Sequence, residues 1–85
     1  MANVEDIKGW VQQLVDANTL VNLTIGEQIQ SCDEMIQLGT FFEGAANEHI
    51  RTALAGIPVL KQKLEEARAV SDAIEQSALN YVNGL

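Results

Sequence analysis

The sequence predicts an all-α fold, an antiparallel helical hairpin, on three observations. Two long apolar stripes run at helical spacing, only one proline is present, and Thr40-Phe41-Phe42-Glu43-Gly44 stands between the stripes as a turn. With 85 residues the chain supports one domain, residues 1–85, and no more. The expected layout is a first arm over about 4–38, a bend over about 39–45 and a second arm over about 46–83.

The first arm opens at Asn3, a good N-cap. Glu5 and Asp6 follow in the first turn, where the helix dipole favours negative charge. Steps of three and four then select Val4, Ile7, Val11, Leu14, Asn18, Val21, Ile25, Gln28, Cys32 and Met35. Eight of these ten are non-polar, which makes one amphipathic stripe. Leu20, Leu23, Ile29 and Ile36 widen it, so contact with more than one neighbouring helix is expected. Gly9 lies near the start and is easily tolerated, whereas Gly26 in the middle costs about 1 kcal/mol relative to alanine. Thr24 through Glu27 also fits a capping box. One continuous helix is the main expectation and a break near residue 24 is its rival.

At the bend, Gly39 reads as a C-terminal cap and Thr40 through Glu43 as another capping box. From Ala53 the second arm runs Ala53, Ile57, Leu60, Leu64, Ala67, Ser71, Ile74, Ala78, Tyr81 and Leu85, nine of ten apolar or aromatic. Lys61, Gln62, Glu65, Arg68, Asp72, Glu75 and Gln76 fill the opposite side. Pro58 removes one backbone donor and crowds the preceding turn, so a kink or short break is expected there. Gly84 is the expected stop.

Stripes this wide leave an isolated hairpin with apolar surface in water. A second hairpin would cover it, giving a four-helix bundle of two chains. Trp10, Leu14, Val21, Ile25, Ile57, Leu60, Leu64, Ile74 and Tyr81 are the residues expected to pack the helices and the dimer interface.

Charge narrows the function. Twelve acidic residues face five basic ones, for a net charge of −7. That balance repels phosphate backbones, and no Lys/Arg cluster interleaves with aromatics, so nucleic acid is not the expected partner. Residues 1–44 hold seven acids and one base, and residues 45–85 hold five acids and four bases. The acidic first half favours a protein with a basic face, chiefly by steering encounter. Cys32 is the single cysteine and forms no intrachain disulfide. No basic cluster with an apolar run marks a signal peptide, and no segment suffices to span a bilayer. Export, if it happens, would use a route without a cleavable N-terminal signal.

No constellation of residues resembles an active site, and neither a cofactor nor a metal is expected. His49 is the only histidine, and near a helix start it reads as a surface or cap residue before a phosphotransfer group. A metal site needs several convergent ligands. Cys32, on the first stripe, reads as a small buried hydrophobe. Asp33-Glu34 and Glu65-Glu66 are adjacent carboxylates that diverge by about 100° on a helix, so they read as solvated charges. Trp10 is expected in core packing ahead of a partner hot spot, and Phe41 and Phe42 are expected to plug the hairpin end.

Phe42-Glu43-Gly44 stands where the WXG (ESAT-like) family of type VII secretion places Trp-x-Gly. In length, arms and bend the chain resembles that family over nearly its whole extent. Two departures are visible. The aromatic is Phe, and the family's C-terminal Tyr-x-x-x-Asp/Glu pattern is incomplete, since Tyr81 is followed four residues on by Leu85. The missing acid fits a heterodimer whose partner supplies the signal. The resemblance implies a non-enzymatic hairpin without cofactor. It would pair with a copy of itself, a related hairpin or a toxin's N-terminal domain, and act as secretion substrate or escort. It implies secretion without a signal peptide, with cytoplasmic residence the other possibility. The alternative reading is a cytosolic acidic adaptor or inhibitor that masks a basic partner protein.

Overall fold

The computed structural model describes residues 2–85. The chain folds as two antiparallel helices, α1 (Val4–Gly39) and α2 (Glu48–Asn83), each of 36 residues, joined through a single 3-10 turn at Thr40–Phe42. The molecule is a rod of 65 × 18 × 14 Å. That length agrees with about 54 Å per helix at 1.5 Å per residue plus the bend.

Local chemistry sets the helix ends. The Asn3 side chain accepts from the Asp6 N–H at 2.8 Å, and the Asp6 carboxylate accepts from the Asn3 N–H at 3.4 Å, a reciprocal box that satisfies two orphan donors. α2 starts at Asn47, whose Oδ1 accepts from the His49 and Ile50 N–H groups at 2.9 and 3.2 Å. Gly84 caps its other end.

The bend is built differently from the sequence expectation. Gly39 stays right-handed as the last residue of α1, and Thr40 is the C-cap. The Thr40 hydroxyl donates back to the Gln37 carbonyl at 2.7 Å and opens no capping box with Glu43. Gly39 is buried because a Cβ there would lie 2.9 Å from Leu54 Cδ2, so its smallness lets the helices approach. Gly44 is the residue that needs glycine's freedom, with φ of 81° in the left-handed region.

The first arm is one continuous helix, as the main expectation had it, and neither the rival break near residue 24 nor a break at Pro58 occurs. α1 runs through Gly26, where an added Cβ would meet the Arg68 guanidinium only at an ordinary contact distance of 3.7 Å. α2 runs through Pro58 without interruption. Leu54, Ile57 and Lys61 on either side of the proline are half-buried, so contact along this stretch holds the helix together across the missing bond.

Candidate functional site

Each broad stripe splits into two. The inner half faces the other helix. On α1 it comprises Ile7, Val11, Val15, Asn18, Asn22, Ile25, Ile29 and Cys32, and on α2 Leu54, Ile57, Lys61, Leu64, Ser71, Ala78 and Val82, all buried or half-buried. The outer half lies beside it in alternating steps of four and three. On α1 it comprises Trp10, Leu14, Ala17, Val21, Thr24, Gln28, Ser31, Met35 and Leu38, and on α2 Ala53, Gly56, Leu60, Lys63, Ala67, Val70, Ile74, Ser77 and Tyr81, all exposed. The two outer stripes meet along one side of the rod. Leu14 shares a groove with Val70, Ile74 and Tyr81, and Met35 shares one with Leu60.

The predicted interface residues therefore divide. Ile25, Ile57 and Leu64 belong to the inner seam, while Trp10, Leu14, Val21, Leu60, Ile74 and Tyr81 belong to the outer flank. Trp10 is 59% exposed, so the expectation that it packs into the core does not hold for the single chain. Its position on the outer stripe, one step away from the seam, is the reason. Phe41 and Phe42, in the 3-10 turn, are 80% and 48% exposed, so neither is closed into the hairpin end as a plug would be. Cys32 is 1% exposed, a buried thiol as expected. His49 lies exposed in the first turn of α2 with its backbone N–H on Asn47.

The inner seam is more polar than the stripes suggested. Ser71, 3% exposed, donates through Oγ to Asn18 Oδ1 at 2.9 Å, and its carbonyl accepts from Asn18 Nδ2 at 2.9 Å. Asn22 Nδ2 adds bonds to Ser71 Oγ at 3.2 Å and to Asp72 Oδ1 at 2.8 Å. Among the described residues every buried side-chain polar atom has a partner. Asn18 and Ser71 were visible as the polar interruptions of the two stripes, and pairing them across the hairpin would have located this layer. Nearer the bend, Lys61 Nζ lies 2.7 Å from Asp33 Oδ1. The hydrogen bond and charge of Asp33 hold the Lys61 ammonium above the ordinary lysine value of 10.5. Asp33 is thus tied across the hairpin and Glu66 pairs with Lys63 at 3.5 Å, while Asp33, Glu34, Glu65 and Glu66 all remain exposed, as solvated charges do.

Among the described residues only Val15 and Cys32 are buried apolar side chains, against eighteen large apolar side chains left exposed. The chain exposes 6372 Å² in all, where a compact protein of 9.3 kDa exposes about 5,000 Å². Nine of the eighteen lie on the outer stripes, a surface with little charge. The outer stripe of α1 bears no charged residue from Trp10 to Leu38, and that of α2 bears one, Lys63. Among the described residues no cluster of metal-ligating side chains occurs, and no helix is long and apolar enough to cross a membrane. No protein-family model, curated protein or solved structure matches the chain.

Proposed function

We propose that this chain is a non-enzymatic, WXG-like helical-hairpin interaction protein. It pairs through its outer flank with a second hairpin, its own copy, a related chain or a toxin's N-terminal domain, and serves type VII secretion as substrate or escort. The observation that carries the reading is the exposed outer flank from Trp10 and Tyr81 to Met35 and Leu60, apolar at Leu14, Val21, Val70 and Ile74 and interrupted by Thr24, Gln28, Ser31 and Lys63. Phe42-Glu43-Gly44 supports the link to secretion, with Gly44 in the left-handed conformation that the bend demands.

Co-expression with the products of adjacent genes, followed by size-exclusion chromatography with light scattering, tests it. A complex of two or more chains that dissociates in Leu14→Asp or Ile74→Asp is the expected result. A lone chain that binds neither itself nor those products sinks the pairing. The secretion role is tested separately by looking for the chain in the medium of cells with and without an intact secretion apparatus.

The acidic adaptor keeps one specific support. Asp16, Glu27 and Glu34 are exposed along one side of α1 and none of them is in an ion pair. It predicts salt-sensitive binding that weakens in Glu27→Gln with Glu34→Gln while pairing of the chain persists.

A further inference from the structure

We infer that Asn83 is a modification site, where the chain converts asparagine to aspartate and isoaspartate without an enzyme. Of the six asparagines, Asn83 is the one followed by glycine. The others precede Val4, Thr19, Leu23, Glu48 and Tyr81, whose side chains crowd the backbone nitrogen that the reaction uses. Glycine has no Cβ to do so. Hydrogen bonding divides the asparagines in the same way. Asn3 and Asn47 cap helices through Oδ1. Asn18 and Asn22 are tied to Ser71 and Asp72 across the seam, and Asn80 Oδ1 accepts from Gln76 Nε2 at 3.0 Å. Among the described residues only the Asn83 carboxamide takes part in no such bond.

Position supplies the freedom the reaction needs. Val82 is the last half-buried residue of α2, and Asn83 and Gly84 beyond it are exposed. The final turn is held by the Gly84 N–H, shared between the Asn80 and Tyr81 carbonyls at 3.1 and 3.3 Å, and by the Leu85 N–H on Val82 at 3.1 Å. Bonds at an exposed helix end open at far less cost than unfolding. In the opened turn the Gly84 nitrogen attacks Asn83 Cγ. The N–Cγ bond forms as the Cγ–Nδ2 bond breaks, the Gly84 proton leaves with the amine as ammonia, and a cyclic imide remains. Water then adds to one of the two imide carbonyls. Opening on one side gives aspartate, and on the other isoaspartate, with the main chain rerouted through the side-chain carbon.

The product alters the open end of the hairpin. A carboxylate at position 83 meets the negative end of the α2 dipole, where the last turn holds no basic residue, and it joins Glu5 and Asp6 at the same end of the rod. The isoaspartyl form also inserts a backbone atom and breaks the helical bonding pattern. Either product loosens the turn that carries Tyr81.

The test incubates the full chain in warm neutral buffer and reads the amide-to-acid mass gain at each asparagine by peptide mass spectrometry. Asn83 is expected to convert first, as two chromatographically distinct isomers. Gly84→Ala is expected to slow conversion by at least about tenfold, folded and in urea alike. The alanine fits, because Gly84 has φ of −84° and an added Cβ would lie 3.6 Å from the Asn80 and Tyr81 carbonyl oxygens. An Asn83 that stays intact in the folded chain for as long as it takes to convert in urea overturns the site. Equal rates in the native chain and Gly84→Ala, or earlier conversion of another asparagine, overturn it as well. Asn83→Asp is expected to speed amide hydrogen exchange from Tyr81 to Leu85 severalfold, and unchanged exchange would overturn the effect on the helix end.

Discussion

Leu14 and Val15 are neighbours in sequence and belong to different structures. Val15 is closed inside the α1–α2 seam, and Leu14 lies on the outer flank, 53% exposed. The seam holds a hydrogen-bonded layer of Asn18, Asn22 and Ser71 and an ion pair between Asp33 and Lys61. The flank holds Trp10, Val21, Val70, Ile74 and Tyr81 with one charge. An ordinary globule keeps polar groups outside and apolar ones inside. Here the polar contacts fix the register of two helices, because Asn18 and Ser71 satisfy each other only in one alignment. The apolar surface of the flank stays exposed in the hairpin.

The largest expected effect separates the two regions directly. Val15→Asp places an unpaired charge in the seam and lowers hairpin stability by about 3 kcal/mol. Leu14→Asp changes the stability of the dilute single chain by no more than about 0.5 kcal/mol, yet abolishes pairing. Urea unfolding followed by circular dichroism, at concentrations where each variant is a single chain, measures both. Equal losses in the two variants would erase the distinction between seam and flank.

Ser71→Val comes next. It strips Asn18 and Asn22 of hydroxyl partners in a closed layer and costs about 2 kcal/mol. Ser77→Val on the outer stripe is the control, expected to alter the unfolding midpoint little and to leave pairing intact. A Ser71→Val chain as stable as the original would show that the polar layer contributes nothing to the seam.

The smallest effect belongs to Lys61. Its ammonium is held above 10.5 in the folded state, so the stabilisation is complete below that value. It disappears as pH rises through the higher folded value, because the unfolded chain then releases the proton more easily. A slight fall in the unfolding midpoint above pH 10.5 is expected in the native chain and absent in Lys61→Met.

The sequence made the hairpin legible because 3-4 periodicity, the Asn3 cap and the turn around Gly44 all act locally. It did not separate seam from flank. Steps of three and four average over a wide arc, so Leu14 and Val21 entered the same series as Val11, Ile25 and Cys32 although they face different neighbours. Only the position of the partner helix divides that arc. The bend was misread in detail because Thr40-Phe41-Phe42-Glu43 has capping-box spacing, while Asn47 lies nearer the true start of α2 and supplies two bonds. Pro58 looked like a break, and Gly26 like a rival to the continuous helix expected, because propensity is a local cost that contact along a 36-residue helix outweighs. Trp10 and Phe41 were assigned inward because large aromatics are usually buried. Both are exposed, at 59% and 80%, because neither position faces the other helix of the hairpin.

Trp10 offers the most direct view of whether the flank is covered, because it is the only tryptophan and sits on the outer stripe. Its fluorescence, followed through a dilution series of the native chain and again with candidate partner hairpins, reports the polarity around that one surface. Emission should shift to the blue and resist quenching by acrylamide as chains associate, while helix content measured in parallel stays constant. Emission that remains water-like at every concentration and with every partner would leave the flank bare, and the account of this hairpin as half of a larger bundle would be contradicted.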